Sequence, residues 1–254
     1  FLLRGRGGLR LSLSGLRPDP GMMGRILRVG LPSGLETLLF RTAQMTFYRV
    51  VAGLGTAALA AQQVALNAIS ISFLPGFGFA VAATTLVGQG LGAQDPKRAE
   101  KSGYFSFLWG CGLMVAMGVV FLSIPQILMR FFTTDPQVIS LGITPLRIVG
   151  CSQPGLAAAM IFAGGLRGAG DTRTPLWING VSLWLVRVSV AAIMTQGLCV
   201  FVPALASASL PRWLVSGVGL GLPGAWIGLA CDQVVRGSLL ALRFRAGRWK
   251  KARV

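Results

Sequence analysis

Six predominantly apolar stretches, each long enough to cross a bilayer, follow one another through this chain and leave it few other ways to fold. They run roughly from Val29 to Val51, Ala57 to Leu86, Tyr104 to Gln126, Gln137 to Gly165, Leu176 to Val200 and Ser216 to Ala241. About 20 apolar residues in a helix cover the hydrocarbon thickness. Only 12% of the residues are charged while 53% are hydrophobic. An ordinary soluble domain carries about 25% charged residues, so this balance excludes a cytosolic globular enzyme, a disordered tail and a fibrous repeat. The expected fold is all-α, a polytopic membrane protein of six transmembrane helices. An even number of crossings places both termini on one side.

The formal charge of +17 does not indicate nucleic acid. A nucleic-acid binder gathers Lys and Arg on a hydrated face, whereas these residues sit between apolar runs, where lipid headgroups are their partners. Arg4, Arg6, Arg10, Arg17, Arg25 and Arg28 precede the first span; Lys97, Arg98 and Lys101 follow the second; Arg167 and Arg173 flank the turn after the fourth; a further basic run from Arg243 to Arg253 ends the chain. The opposite side has Arg130 and Arg212. The positive-inside rule then makes both termini cytoplasmic in the plasma membrane. Residues 1–28 read as a basic cytoplasmic leader, 29–241 as the six-helix lobe and 242–254 as a basic tail. The leader has no signal-peptide pattern, and an opening on Phe1 in an apolar triplet suggests the end of an earlier helix and part of a longer protein.

Histidine is absent, and Cys111, Cys151, Cys199 and Cys231 fall in or beside apolar stretches with no CxxC pair. Zinc, haem and thiol-relay sites therefore lack ligands. Hydrolase triads lack a base, and no motif offers a nucleophile beside one, so no enzyme and no cofactor are expected.

Two turns echo each other. Gly92-Ala93-Gln94-Asp95 precedes Pro96-Lys97-Arg98, and Gly168-Ala169-Gly170-Asp171 precedes Thr172-Arg173; each closes an even-numbered span. Glycine ends a helix, aspartate caps the next, and a basic residue anchors to headgroups.

Ionisable residues within a span cost about 2.5–3.5 kcal/mol on insertion scales, so each should face a cavity or a partner. Glu36 lies about 10 Å into the first span at 1.5 Å per residue. Arg41, Gln44, Tyr48 and Arg49 follow it and are expected to form one wet stripe. Arg187 in the fifth span and Asp232 and Arg236 in the sixth reach comparable depth. Asp232 can pair with Arg187 or Arg236, and Glu36 lies level with Arg236. These charges are either structural pairs or a site where Glu36 or Asp232 exchanges a proton or holds a cation. Gln62, Gln63, Asn67, Ser70 and Ser72 give the second span a hydrogen-bonding side, either as packing contacts or as cavity lining with Phe73, Phe77 and Phe79. Pro75-Gly76, Pro154-Gly155 and Pro223-Gly224 are expected to interrupt the second, fourth and sixth spans. Trp177, Trp213 and Trp249 are expected at the membrane interfaces.

GLPSGLE from Gly30, the run from Ala58 to Ala99 ending in GQGLGAQDPKRA, GGLRGAGDTRTP from Gly164 and PGAWIGLACDQVVRG from Pro223 resemble the multidrug and toxic compound extrusion (MATE) family. The resemblance implies a twelve-helix exporter of two six-helix lobes, moving organic cations or drugs outward in exchange for H⁺ or Na⁺. This chain would be the second lobe, residues 1–20 the connection between lobes, and the first lobe its partner. Glu36, Arg41, Gln44, Tyr48, Gln63, Asn67, Arg187 and Asp232 are then the candidates for cation coupling or substrate binding. In one branch of the family an acid lies midway along the helix matching the fourth span, yet Cys151 to Gly165 holds none. Another branch couples through an aspartate in the first lobe, which would place the key acid outside this chain. The alternatives are a flippase of related fold for lipids or lipid-linked oligosaccharides, which would need an arginine-rich cavity, and a non-transporting membrane subunit.

Overall fold

The structure, a computed structural model, describes residues 20–195 and 217–251. Most of the basic leader, the far end of the fifth span, Cys199, Arg212 and Trp213 lie outside the described residues.

Every regular element among the described residues is helical. The chain runs through α1 (Pro20–Ala52), α2 (Thr56–Gly92), α3 (Pro96–Ser123), α4 (Pro125–Phe132) and α5 (Pro136–Gly168). Next, α6 (Arg173–Val181) passes through a π-helical stretch, Ser182–Val188, into α7 (Ser189–Thr195); α8 (Gly221–Arg245) and a 3₁₀ turn at Arg248–Lys251 follow. Five helices are long and apolar enough to cross a membrane: α2, α3, α5, the continuous Arg173–Thr195 helix and α8. The expected first crossing, α1, spans 33 residues but carries Glu36 and several arginines along its length.

Local chemistry sets the boundaries. Asp95 caps α3 by accepting the Arg98 N–H at 2.9 Å, with Pro96 in the first turn. Asp135 caps α5 the same way, accepting from Gln137 N–H at 2.8 Å ahead of Pro136. A side-chain cap satisfies an otherwise orphaned N–H, and proline at the first position has none to lose. Asp171 repeats the Asp95 bond on Thr174 N–H at 3.1 Å. The residue that turns left-handed before Asp95 is Gln94 (φ 58), whereas Gly170 (φ 81) does so before Asp171. α2 and α5 continue through Pro75 and Pro154. Pro223, expected inside the sixth span, instead stands in the first turn of α8, where its missing N–H interrupts nothing.

α5 is the central post of the lobe, buried along much of its length and packed by α2, α3 and α8. Close approach depends on glycine. A Cβ on Gly168 would stand 2.1 Å from the Thr84 carbonyl oxygen of α2, and one on Gly237 2.3 Å from that of Gly155. Small residues allow such backbone contact where lipid gives no hydrophobic drive between helices. Polar bonds join the same helices: Gln153 donates to Ser72 at 3.2 Å, and Ser152 to Gln233 at 2.6 Å. Gln62, by contrast, is buried with its amide unpartnered among the described residues.

One apolar cluster gathers Val87, Ala99, Leu166, Ala169, Phe244 and Trp249. The two echoing turns and the end of α8 therefore share one end of the bundle. Ion pairs tie the same end together, Asp171 to Arg243 at 3.2 Å and Glu100 to Lys250 at 2.7 Å. Trp249, expected at a lipid interface, is 1% exposed; it stacks on Phe244 and donates its indole N–H to the Phe244 carbonyl at 2.7 Å. The same carbonyl, in the last turn of α8, also accepts from the Gly247 N–H at 3.2 Å, so the tryptophan is held inside the bundle by its stacking on Phe244 together with this shared acceptor. Trp177 is exposed, as expected of an interface residue.

Candidate functional site

A cleft of about 430 Å³ opens between α1, the last turn of α5, α6 and α8, lined by Glu36, Arg41, Arg167, Asn179 and Arg236 among others. Among the described residues that line it, Glu36 is the one carboxylate. Its Oε1 accepts a hydrogen bond from the Arg167 guanidinium at 2.5 Å and another from the Asn179 amide at 2.5 Å. Only 13% of the Glu36 side chain is exposed, so the charge is held by direct partners more than by water. The expected level with Arg236 is met, since both line the cleft, but the pairing goes to Arg167. Counted by its position as a headgroup anchor, Arg167 instead directs its guanidinium to Glu36 inside the cleft.

Behind the cleft lies a buried charge cluster. Asp232, 1% exposed, accepts from the Ser182 hydroxyl at 2.6 Å and pairs with Arg236 one turn along at 3.6 Å. Of the two arginines weighed for Asp232, the structure selects Arg236. Arg187 is buried with its guanidinium 4.6 Å from the centre of the Phe47 ring, a cation–π contact, and it feels the charges of both Asp232 and Arg236. Ser182 opens the π-helical stretch and Arg187 lies within its last turn. The wider turn there shifts the register of the helix between them, a departure often found at functional positions.

The single wet stripe expected along α1 divides. Arg41 lines the cleft and engages no hydrogen bond or ion pair among the described residues. Gln44 is half-buried and outside the cleft. Tyr48 is twelve residues beyond Glu36, about 18 Å along the helix at 1.5 Å per residue, and donates to Gln63 at 3.2 Å. Asn67 is exposed on α2; its side chain makes no hydrogen bond among the described residues, and its backbone carbonyl also accepts from the Ser70 hydroxyl at 2.6 Å. Tyr48, Gln63 and Asn67 thus form a separate polar patch. Asn179 and Arg167 are site residues the candidate set lacked.

A second recess of about 280 Å³ adjoins the first and shares Glu36, Phe40, Arg167, Asn179 and Arg236 with it. Its far wall is apolar, with Phe73, Phe77 and Met160. Phe79, grouped with these two by sequence, packs instead beside Gly110 of α3. Together the two recesses offer charged groups at one end and an apolar wall at the other, the shape an amphipathic molecule requires.

The family model described as MatE matches residues 32–193. A probable multidrug resistance protein NorM from Thermotoga maritima is 35% identical over 90% of this chain and 45% of its own length. The multidrug resistance protein NorM of Burkholderia vietnamiensis is 30% identical over 96% of this chain and 50% of itself. Among solved structures, a MOP superfamily transporter from Pyrococcus furiosus superposes with a TM-score of 0.79 at 21% identity, covering 98% of this chain and 52% of that one. A MATE structure in the straight conformation gives 0.76 at 20% identity, covering 97% and 52%. The chain spans about half the length of the curated relatives it matches. With a membrane-type helical lobe, a matching family model and relatives of this identity, the chain belongs to the MatE family.

Proposed function

We propose that this chain is one six-helix lobe of a secondary exporter that moves amphipathic drugs, organic cations among them, out of the cell in exchange for H⁺ or Na⁺. The observation that carries this is the Glu36 carboxylate, the one acid of the cleft, held between Arg167 and Asn179. A carboxylate in such a place bonds Arg167 or takes up a coupling ion or a substrate cation, and these alternatives compete. Competition at one acid is what exchange transport requires. The NorM relatives support drugs as the substrate class, and their doubled length supports a partner lobe of the same kind.

In this reading both termini and the Gly92 and Gly168 turns face the cytoplasm, residues 1–20 connect the lobes, and access alternates as one lobe rocks against the other. Tyr48, Gln63, Asn67 and Gln44 line the opposite half of the substrate path. The decisive experiment is export of a fluorescent organic cation from proteoliposomes holding this chain with and without the preceding lobe, under imposed H⁺ or Na⁺ gradients. Gradient-driven export only when both lobes are present is the expected result; none under either gradient with both lobes overturns the reading. The flippase reading has one observation in its favour, the three arginines of the cleft.

A further inference from the structure

Among the described residues, the charges around the cleft do not balance. Arg167 is matched by Glu36, and Asp232 faces both Arg236 and Arg187, which leaves Arg41 without a carboxylate among the described residues. Arg187 is covered by the Phe47 ring. Arg41 has no such cover and lines the cleft together with Arg236, whose side chain is 12% exposed. Arg41 is exposed in the cleft, free to bond a bound group of opposite sign. Guanidinium groups match carboxylate and phosphate oxygens through paired N–H donors. The adjoining wall of Phe73, Phe77 and Met160 is suited to an apolar body and offers no charge.

We infer that the cleft binds the oxyanion of an amphiphile, a carboxylate or phosphate held by Arg41 and Arg236 with its apolar portion against Phe73 and Phe77. This narrows the substrate class and rests on the proposed exporter role only for the direction of movement; the binding claim stands on the cleft itself. A zwitterion meets both requirements, its cationic group exchanging at Glu36 and its anionic group held by Arg41. Two sources share the chemistry, an anionic lipid headgroup and a soluble amphipathic acid.

The test is equilibrium binding of radiolabelled dodecyl phosphate to the intact protein containing this chain, purified in a neutral maltoside detergent. Saturable binding is expected, weakened about tenfold or more by Arg41→Gln, since a charge-assisted bond is lost, and largely restored by Arg41→Lys. Glu36→Gln should strengthen binding by removing the one negative charge of the cleft, a change opposite in sign to any general loss of structure. Lys97→Gln, on an exposed turn, should leave it unchanged. Displacement by phosphatidylglycerol assigns the site to lipid headgroups, and resistance to it assigns a soluble acid. The inference is overturned if dodecyltrimethylammonium displaces the probe as well as unlabelled dodecyl phosphate does, or if neither Arg41→Gln nor Glu36→Gln alters affinity. Loss of gradient-driven export with binding intact would count against the exporter role alone.

Discussion

Glu36 on α1 and Arg167 in the last turn of α5 meet at 2.5 Å across 131 residues of sequence. α1 meets the rest of the lobe more sparingly than α5 does; this bridge and the Asn179 bond to the same oxygen hold the part of the helix around Glu36, while Phe47 and Val51 pack its far end into the apolar core. A change in the charge of Glu36 would be felt first as a change in the seating of α1.

That bridge has a measurable strength. A double-mutant cycle on Glu36→Gln and Arg167→Gln, read by thermal unfolding in detergent, should return a coupling of about 1.5–3 kcal/mol, the range for hydrogen bonds to charged groups. A coupling near zero would mean that the two side chains meet without holding α1.

Asp232 is predicted to matter more for stability than Glu36 does. Asp232→Asn leaves Arg187 and Arg236 buried against one neutral amide, and removing one partner of a buried pair costs about 3–5 kcal/mol. Adding Arg187→Met should recover part of that loss, because one of the stranded charges is gone. Unfolding midpoints of the single and double variants check this, and a double variant less stable than Asp232→Asn alone would count against the cluster as described.

The contact of α5 with α2 leaves no room for a side chain at Gly168. Gly168→Ala should lower stability by about 1–3 kcal/mol through overpacking, because the added carbon meets the Thr84 backbone rather than a flexible side chain. Gly92→Ala, where the added carbon meets nothing within 4 Å, should be nearly neutral. Equal effects at the two glycines would show that the helices do not approach so closely.

The echoing turns share one end of the bundle, so both should label from one side of the membrane. With Cys111, Cys151, Cys199 and Cys231 replaced by alanine, Lys97→Cys and Arg173→Cys are predicted to react with an impermeant maleimide only from the cytoplasmic side, and Gln137→Cys only from the other. Lys97 and Arg173 reacting from opposite sides would overturn the topology.

The spans were legible because hydropathy and length are local quantities that burial in lipid makes decisive. Their edges were not, since α2 continues to Gly92 and α3 begins at Pro96, where capping rather than greasiness ends a helix. The eight-residue α4 was hidden in the same way: Pro125–Phe132 is too short to signal as a span, and its start depends on Pro125 alone. Glu36, Arg41, Arg187 and Asp232 stood out as charges among apolar residues. Their partners did not, because a pairing such as Glu36 with Arg167 depends on how α1 leans on α5, and Arg167 looks like a surface anchor when read from its neighbours. Gln153 and Gln233, which join α5 to α2 and α8, carry no charge and gave no comparable signal.

The central claim is that coupling passes through the Glu36 carboxylate. The most direct measurement is the initial rate of export of a fluorescent organic cation, driven by an imposed pH gradient, from proteoliposomes holding both lobes, with Glu36 intact and as Glu36→Gln. The predicted result is a fall of about tenfold or more, equivalent to losing one charge-assisted interaction, while the variant remains folded and reconstituted in equal amount. Export at the unaltered rate would contradict the account and move the coupling acid to another residue.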